Sequence, residues 1–326
     1  MELFEQLSTR IKGQGKVLVF PEGEDARIQG AAVRLAASDL VKPILLGDQA
    51  TIAATAAANH FDLSGVQVID LTEYPQDAFD HMVNALVERR NGKTDAATAE
   101  KWLGDVNYFG TMMVYLGLAD GLVSGAVHPT SDTVRPALQI IKTAQGSSRI
   151  SGAFIMQRAE ERYIFADAAI NIDPDAATLA EIAIQSAHTA KTFGLEPQVA
   201  MLSFSTKGSA KAPQANKVIE ATALAQQAAP TLAIDGELQF DAAFSKTVAA
   251  AKAPESSVAG HANVFVFPDL QSGNIGYKIA QRLGGFEAIG PILQGLAAPV
   301  ADLSRGANEE DVYKVAIITA AQALEA

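Results

Sequence analysis

KVLVFPEGEDARIQGAAVRLAASDLVKPILLG, residues Lys16–Gly47, consists of two short apolar runs separated by a segment with helical spacing. The runs Lys16–Pro21 and Pro43–Gly47 predict strands, and the segment from about Asp25 to Ala37 predicts a helix. Neither run alternates polar and apolar residues, so each predicts a strand of a parallel sheet that is covered on both faces. The stretch therefore predicts an α/β fold.

The same alternation continues along the chain. Further strand-like runs are Val66–Asp70, Gly121–Ser124, Gln198–Phe204, Leu232–Asp235, Asn263–Pro268, Ile289–Leu293 and Pro299–Leu303. The second half opens on a hairpin pattern formed by Ser151–Gln157 and Arg162–Ala166. Because 326 residues are long for one core, we expect two domains, with a boundary at the Gly/Ser turn Gly146–Ser148. The pattern does not decide which domain contains the last strand and helix.

The composition excludes several classes of function. The formal net charge is −12, so nucleic acid and anionic membranes are not expected as partners. The chain has no cysteine, which excludes disulfides, thiolate metal sites and an acyl-cysteine intermediate. The five histidines are scattered without an H-E-x-x-H pair, so no metal site is expected. The sequence shows no secretory signal and no apolar span of about 18 residues, which predicts a cytoplasmic location.

Ligands of open parallel sheets bind beyond the carboxyl ends of the strands, which makes the loops there the candidate sites. The loop from Ser124 to Pro136 is rich in hydroxyls and places Thr130 and Ser131 before a helix. Because Arg135 directly precedes a proline, we expect it at or near a helix N-terminus, where free N–H groups favour anions. The alternative is that Ser131 or Asp132 caps the helix and Arg135 is solvated.

The loop SFSTKGSAK, Ser203–Lys211, has the composition of a phosphate loop. It does not match G-x-x-x-x-G-K-[ST], and no G-x-G-x-x-G follows the first strand. Nucleotide hydrolysis and dinucleotide binding therefore lose their main support. The loop by itself favours a polar turn between a strand and a helix.

The segment DLSRGANEED, Asp302–Asp311, places a hydroxyl, a guanidinium and a carboxylate on one strand-to-helix connection. Ser304, Arg305 and Asp311 could converge there on one ligand. The alternative is a capping pair, because Asp311 follows Asn308 by three residues. Spacing alone favours the cap.

Six blocks of the sequence, in this order, resemble phosphate acetyltransferases over essentially the whole chain. They are VSGAVHPTSDTVRPALQIIKT, MLSFSTKGSAK, AIDGELQFDAA, NVFVFPDLQSGNIGYKIAQRL, GPILQGL and DLSRGANEEDV. The resemblance implies reversible acetyl transfer between coenzyme A and phosphate. It also implies two mostly parallel-sheet α/β domains with an active-site cleft between them, and usually a homodimer. In that fold the C-terminal strand and helix return to the first domain, which gives domains of 1–146 plus 295–326 and of 147–294.

The resemblance implies catalytic roles for the SRG-x-x-x-x-D motif. Asp311 is the proposed base, Ser304 stabilises the intermediate and Arg305 binds the acyl phosphate. Ala307 stands where the family often has cysteine, so that cysteine cannot be essential. The thiol must lose its proton, because the thiolate is the nucleophile. A thiol has an ordinary pKa of about 8.5 and an aspartate one of about 3.9, so an ordinary aspartate is a poor base for it. We therefore expect partial burial of Asp311, or a proton transfer concerted with carbon–sulfur bond formation.

The resemblance also implies residues that bind substrate. Arg135 matches the arginine of the family's D-T-x-R-P block, which is implicated in binding substrate or coenzyme A. A further family arginine aligns with Arg89 or with its neighbour Arg90. Thr130 and Ser131 are predicted to contact substrate as well. Coenzyme A is expected as a substrate, with no permanently bound cofactor and no metal.

Three alternatives stay open at this point. The first is a phosphate butyryltransferase or another acyl homologue, because the sequence does not size the acyl pocket. The second is a metal- and NAD-dependent decarboxylating dehydrogenase of similar architecture, which would require clustered metal-binding aspartates. The third, a non-catalytic acyl-phosphate sensor, is disfavoured because Ser304, Arg305 and Asp311 are all present.

Overall fold

A computed structural model describes residues 3–325 of the chain. The strands, in chain order, are β1 Val17–Phe20, β2 Lys42–Leu46, β3 Gln67–Ile69, β4 Gly121–Ser124, β5 Ser151–Arg158, β6 Glu161–Ala166, β7 Gln198–Leu202, β8 Ala233–Leu238, β9 Val264–Val266, β10 Glu287–Gln294 and β11 Val300–Asp302.

The helices, numbered in the same way, are α1 Leu3–Ile11, α2 Ala26–Ala37, α3 Gln49–Asn59, α4 Gln76–Arg90, α5 Ala96–Leu103, α6 Val106–Tyr115, α7 Thr130–Pro136, α8 Ala176–Thr192, α9 Pro213–Ala228, α10 Phe240–Phe244, α11 Lys246–Lys252, α12 Leu270–Arg282 and α13 Glu309–Gln322. A 3₁₀ turn, Leu71–Glu73, and a π-helical segment, Ala137–Ile141, complete the regular structure.

The strand–helix–strand unit predicted near the N-terminus is confirmed. β1 and β2 pair in parallel, with Val17 opposite Lys42. Asp25 begins α2 as its N-cap, because its side chain accepts a hydrogen bond from the Arg27 N–H. Leu18 and Val19 point to opposite faces of the sheet, and both are 0% exposed, so both faces are covered.

The described residues divide into two compact units. The chain up to Ala144 together with the chain from Leu296 forms the first unit, and Gln145–Gly295 forms the second. The first unit contains a parallel sheet with the strand order β11-β4-β1-β2-β3. The chain adds β2 and β3 on one side of β1 and then crosses to the other side for β4. The strand order therefore reverses between β1 and β4, where ligands bind in folds of this kind.

The C-terminal strand and helix lie in the first unit. β11 pairs in parallel with β4, with Val300 opposite Leu122 and Asp302 opposite Ser124. Helix α13 packs against α1 and α2. The loop between β11 and α13 therefore lies beside the loop that follows β4.

The second unit contains a six-stranded sheet with the order β10-β5-β6-β9-β7-β8. Strands β6, β9, β7 and β8 pair in parallel, and β5 and β10 extend the sheet in antiparallel pairing. The hairpin predicted at the start of this half is confirmed, with Arg158 opposite Glu161 at its tip. Both sheets are mostly parallel, so the predicted α/β class is confirmed. Within residues 3–325 no helix combines the length and apolar character that crossing a membrane requires.

Candidate active site

Three loops of the first unit meet at one edge of its sheet. They follow β1, β4 and β11, which are neighbours in the sheet and run in the same direction. The loops comprise residues 21–25, 125–129 and 303–308. They therefore surround the point at which the strand order reverses.

Ser304 and Arg305 lie on a tight turn after β11. The Ala307 N–H donates to the Ser304 carbonyl at 2.8 Å, and the Gly306 N–H donates to the Ser304 hydroxyl at 3.2 Å. Both Ser304 and Arg305 are exposed. The Arg305 guanidinium contacts no carboxylate among residues 3–325, so its charge is free to meet an anion.

Asp311 occupies the third position of α13 and takes part in a capping box. Its Oδ2 accepts from the Asn308 N–H at 2.9 Å, and its own N–H donates to Asn308 Oδ1 at 3.0 Å. The capping alternative is therefore realised. Within the described part of the chain Oδ1 of Asp311 accepts no hydrogen bond, and the residue is half-buried. One carboxylate oxygen thus remains available beside the cap.

The prediction that Arg135 lies at a helix N-terminus is wrong. Helix α7 begins at Thr130, and Arg135 is in its last turn. The chain continues past Pro136 as a π-helical segment, in which the Lys142 N–H donates to the Ala137 carbonyl at 2.9 Å. The wider π turn accommodates the proline, which lacks the N–H of a regular helix. Arg135 is nevertheless exposed.

Thr130 and Ser131 form the exposed first turn of α7. The alternative in which Ser131 or Asp132 caps this helix is not realised either, because the N-cap is Pro129, which makes no side-chain capping bond. The Ser131 hydroxyl instead donates to Asp132 Oδ1 at 3.0 Å. Both residues are therefore at the surface of the first unit.

The two arginines at the end of α4 differ in their contacts. Arg89 donates from Nε to the Ile140 carbonyl at 2.6 Å and from Nη2 to the Ile141 carbonyl at 2.7 Å. It therefore satisfies carbonyl groups at the end of the π-helical segment. The Nε of Arg90 is buried and has no hydrogen-bond partner among residues 3–325. Its Nη1 donates to the Gln139 carbonyl at 3.4 Å, so both arginines contact the backbone of this segment.

Positive charge accumulates around the end of α4. Burial lowers the pKa of Lys142, and the nearby charges of Arg89, Arg90 and Lys93 lower it further. Burial raises the pKa of Tyr108, while the charges of Arg135 and Arg90 act in the opposite direction. An electropositive surface therefore exists on a chain whose net charge is −12.

Sequence reasoning missed Arg27, which ties two of the loops together. Its guanidinium is paired with both oxygens of Asp25, at 2.9 and 2.8 Å. Nη2 also donates to the Ala126 carbonyl at 2.9 Å, and Nη1 donates to the carbonyls of Ala307 at 2.7 Å and Arg305 at 3.2 Å. The hydrogen bond to Asp25 raises the pKa of Arg27, although burial opposes this.

Sequence reasoning also gave no role to Glu22, in the loop after β1. Its carboxylate accepts hydrogen bonds from the backbone N–H groups of Ala126, Val127 and His128, each at 2.8 Å. The His128 ring contacts the same carboxylate through Nδ1, also at 2.8 Å. Glu22 therefore fixes the backbone of the loop after β4.

Asp302, at the end of β11, is a second buried carboxylate. Its Oδ1 has no hydrogen-bond partner among the described residues. Burial raises the pKa of Asp302, the charge of Glu22 adds to this, and the nearby hydroxyls of Thr130 and Thr133 lower it. Gly125 is required beside it, because a Cβ there would lie 2.5 Å from Asp302 Oδ1 and the residue has φ of +107°. Among residues 3–325 no group of three or more acidic or histidine side chains is arranged to hold a metal ion.

Comparison with known proteins gives consistent matches over nearly the whole chain. The family described as Phosphate acetyl/butaryl transferase matches residues 2–320. A phosphate acetyltransferase of Bacillus subtilis (strain 168) is 58% identical over 323 residues, which cover 99% of each chain. The structure of a phosphotransacetylase from Streptococcus pyogenes aligns with a TM-score of 0.97 and 60% identity, covering 99% of this chain and 98% of that one. EutD phosphotransacetylase from Staphylococcus aureus aligns with a TM-score of 0.94 and 54% identity, covering 98% of each chain.

Proposed function

Because the chain belongs to the phosphate acetyl/butaryl transferase family and has phosphate acetyltransferase activity, we propose that it transfers the acetyl group directly between coenzyme A and phosphate in a ternary complex. The predicted family and reaction are confirmed by relatives that are more than half identical to this chain. The same relatives set aside the dehydrogenase alternative. The chain uses coenzyme A as a substrate, and we propose that it needs no permanently bound cofactor.

The observation that carries the mechanism is the exposed Ser304–Arg305 turn at the sheet edge. An unpaired guanidinium can hold phosphate oxygens through two parallel hydrogen bonds. The Ser304 hydroxyl accepts from the Gly306 N–H, which leaves its own hydrogen for the acetyl carbonyl oxygen. That oxygen becomes negative when the thiol attacks, and one well-placed donor contributes about 3 kcal/mol there.

Asp311 is proposed as the acceptor of the thiol proton. Its Oδ1 is not used by the helix cap and is the atom that would take the proton. As the S–H bond breaks, a C–S bond forms at the acetyl carbon, and the bond from that carbon to the phosphate oxygen then breaks. Because the carboxylate is only half-buried, we propose that the proton moves in concert with C–S bond formation.

The electropositive surface near the end of α4 supports the binding of coenzyme A, which carries several phosphate charges. Arg135 is exposed and unpaired within residues 3–325, and Thr130 and Ser131 add exposed hydroxyls on the same helix. Arg89 and Arg90 both donate to backbone carbonyls of the segment that follows α7. We propose the exposed residues Arg135, Thr130 and Ser131 as contacts, and we keep Arg89 as the family's further arginine with Arg90 as its alternative.

Arg135→Ala should mainly raise KM for coenzyme A, because it removes an attractive charge without removing a group that takes part in the chemistry. The melting temperature should stay nearly unchanged, since the side chain is exposed. Steady-state kinetics with each substrate varied in turn measures the effect. Arg149→Ala removes the same charge from an exposed position in the second unit and is the matched control. An unaltered KM for every substrate would leave Arg135 as a solvated surface residue.

Direct transfer in a ternary complex predicts that no acetyl-enzyme forms. Incubation with labelled acetyl phosphate, without coenzyme A, should leave the denatured protein unlabelled. Initial rates with both substrates varied should give intersecting rather than parallel double-reciprocal lines. Stoichiometric acid-stable label together with ping-pong kinetics would refute direct transfer.

Repeating the assay of thioester formation with butyryl phosphate tests the alternative of a longer acyl substrate.

We also propose a cytoplasmic homodimer. Helix α12 carries an apolar stripe in which Ile275 is 56% exposed, Ile279 is 53% exposed and the adjoining Leu283 is 86% exposed. Apolar side chains at this spacing form one face of the helix, and burial against a second copy would remove them from water. The cytoplasmic location is supported by the substrate, because coenzyme A is an intracellular molecule. Sedimentation equilibrium tests the homodimer, and cell fractionation tests the location.

A further inference from the structure

The proposed transfer needs two proton movements, and Asp311 accounts for one of them. When acetyl phosphate is cleaved, the oxygen that bridged carbon and phosphorus leaves with the phosphate. Hydrogen phosphate forms only if the phosphate gains a proton, and in reverse this proton must be removed as the phosphate oxygen attacks. General acid–base catalysis of such a step requires a side chain that both donates and accepts protons near neutral pH. Arginine and serine do not do this.

The buried carboxylate of Glu22 and the half-buried imidazole of His128 form a pair at the sheet edge. His128 Nδ1 lies 2.8 Å from Glu22 Oε1, and the two side chains are 31% and 1% exposed respectively. A carboxylate only accepts hydrogen bonds, so Nδ1 carries a hydrogen. Nε2 makes no hydrogen bond with residues 3–325 and is the nitrogen left for a ligand.

The pair lies next to the turn that is proposed to bind phosphate. Arg27 donates to the carbonyl of Ala126, two residues before His128, and also to the carbonyls of Arg305 and Ala307. One guanidinium therefore spans the loop that carries His128 and the turn that carries Arg305. All three hydrogen bonds are 3.2 Å or shorter, so the loop after β4 and the turn after β11 both lie within a few ångströms of the Arg27 guanidinium.

The charged groups near the Glu22–His128 pair lie at the ends of β1 and β11 and in helices α2 and α7. Glu22 follows β1 and contacts the imidazole directly. Arg27, in α2, is paired with Asp25 at the start of that helix. Asp302, at the end of β11, lies close enough to Glu22 for the two charges to interact, and Asp132 lies in the first turn of α7. A fixed carboxylate that orients a histidine and stabilises its imidazolium is a recurrent catalytic arrangement.

We propose that His128 is the second proton carrier of the reaction and that Glu22 is its positioning residue, on the premise of the ternary complex proposed above. In thioester synthesis the imidazolium donates its Nε2 proton to the departing phosphate oxygen. The S–H and carbon–oxygen bonds break, the C–S and O–H bonds form, and Asp311 holds the thiol proton. Solvent then takes that proton from Asp311 and returns one to His128. In the reverse direction neutral His128 takes the proton from hydrogen phosphate.

His128→Asn separates proton transfer from loop anchoring. The asparagine Nδ2 can replace Nδ1 as the donor to Glu22, but nothing replaces Nε2. We expect kcat to fall about a hundredfold in both directions, with KM for coenzyme A and the melting temperature nearly unchanged. The pH dependence of kcat should also differ from that of the wild type, because a proton carrier has been removed. A variant with wild-type kcat and pH profile would overturn the proposal and leave His128 as a loop anchor.

Two further variants keep the test decisive. His60→Asn is the matched control, because His60 is an exposed left-handed C-cap of α3, with φ of 58°, a conformation that asparagine adopts readily; its kcat should equal wild type. His128→Ala should regain part of its kcat when imidazole is added, and absence of any recovery would count against proton transfer even if the asparagine variant folds poorly. Acid-stable labelling of the wild type would overturn the ternary complex and this proposal with it, whereas an unaffected His128→Asn variant overturns this proposal alone.

Discussion

Asp311→Asn is expected to lower kcat by about 10² to 10⁴ while the melting temperature shifts little. Asparagine keeps an oxygen that can accept the Asn308 N–H, which the Asp311 carboxylate accepts at 2.9 Å, so the capping box survives. It cannot take a proton from the thiol. Turnover in the thioester-forming direction, measured together with thermal unfolding, distinguishes loss of a base from loss of a cap.

Asp311→Glu provides the complementary measurement. Glutamate is the preferred side chain at the third position of a capping box, so stability should be unchanged or improved. The carboxylate moves by roughly one methylene, and a displacement of about 1 Å can cost about a hundredfold in rate. Glu310→Gln removes a charge from the same helical turn and should leave kcat unchanged, because Glu310 pairs with Arg34 and with no other cation among residues 3–325. Wild-type turnover in both Asp311 variants would mean that this carboxylate is only a cap.

The elements of the fold could be predicted because their signals are local. The buried strand β1 and helix α2 follow from the apolar run and the helical spacing that begin at Lys16. The strand order could not be predicted in the same way, because it depends on pairing between distant segments. Asp302 pairs with Ser124, for example, although 177 intervening residues separate them. A resemblance to a known family was needed to place the last strand and helix.

The site was predicted only in part, for the same reason. Ser304 and Arg305 belong to one short motif, whereas Glu22 accepts hydrogen bonds from backbone N–H groups 104 to 106 residues further along the chain. Asp25 and Arg27 gave only the signal of a helix start, although Arg27 also contacts two loops. The error at Arg135 came from a local rule. Proline is frequent in the first turn of helices, but Pro136 is the last residue of α7 and precedes a π-helical segment.

Arg305→Gln is expected to lower kcat by about 10² to 10³, the range found when a donor to developing negative charge is removed. The side chain is exposed and contacts no carboxylate within residues 3–325, so its removal should not change the melting temperature. The backbone carbonyl that accepts from Arg27 is retained in the variant, so the turn should keep its position. The loss is therefore expected in catalysis rather than in folding.

Arg305→Lys distinguishes charge from geometry at the same position. Lysine keeps one positive charge but cannot form the two parallel hydrogen bonds of a guanidinium, so its kcat should lie between those of the wild type and Arg305→Gln. Inhibition by inorganic phosphate should be strongest in the wild type, weaker in Arg305→Lys and weakest in Arg305→Gln, because the phosphate product binds the same side chain. Arg135→Ala should instead change KM for coenzyme A with kcat retained. If Arg305→Gln kept wild-type kcat and phosphate inhibition, the phosphate would have to be bound by a different cation.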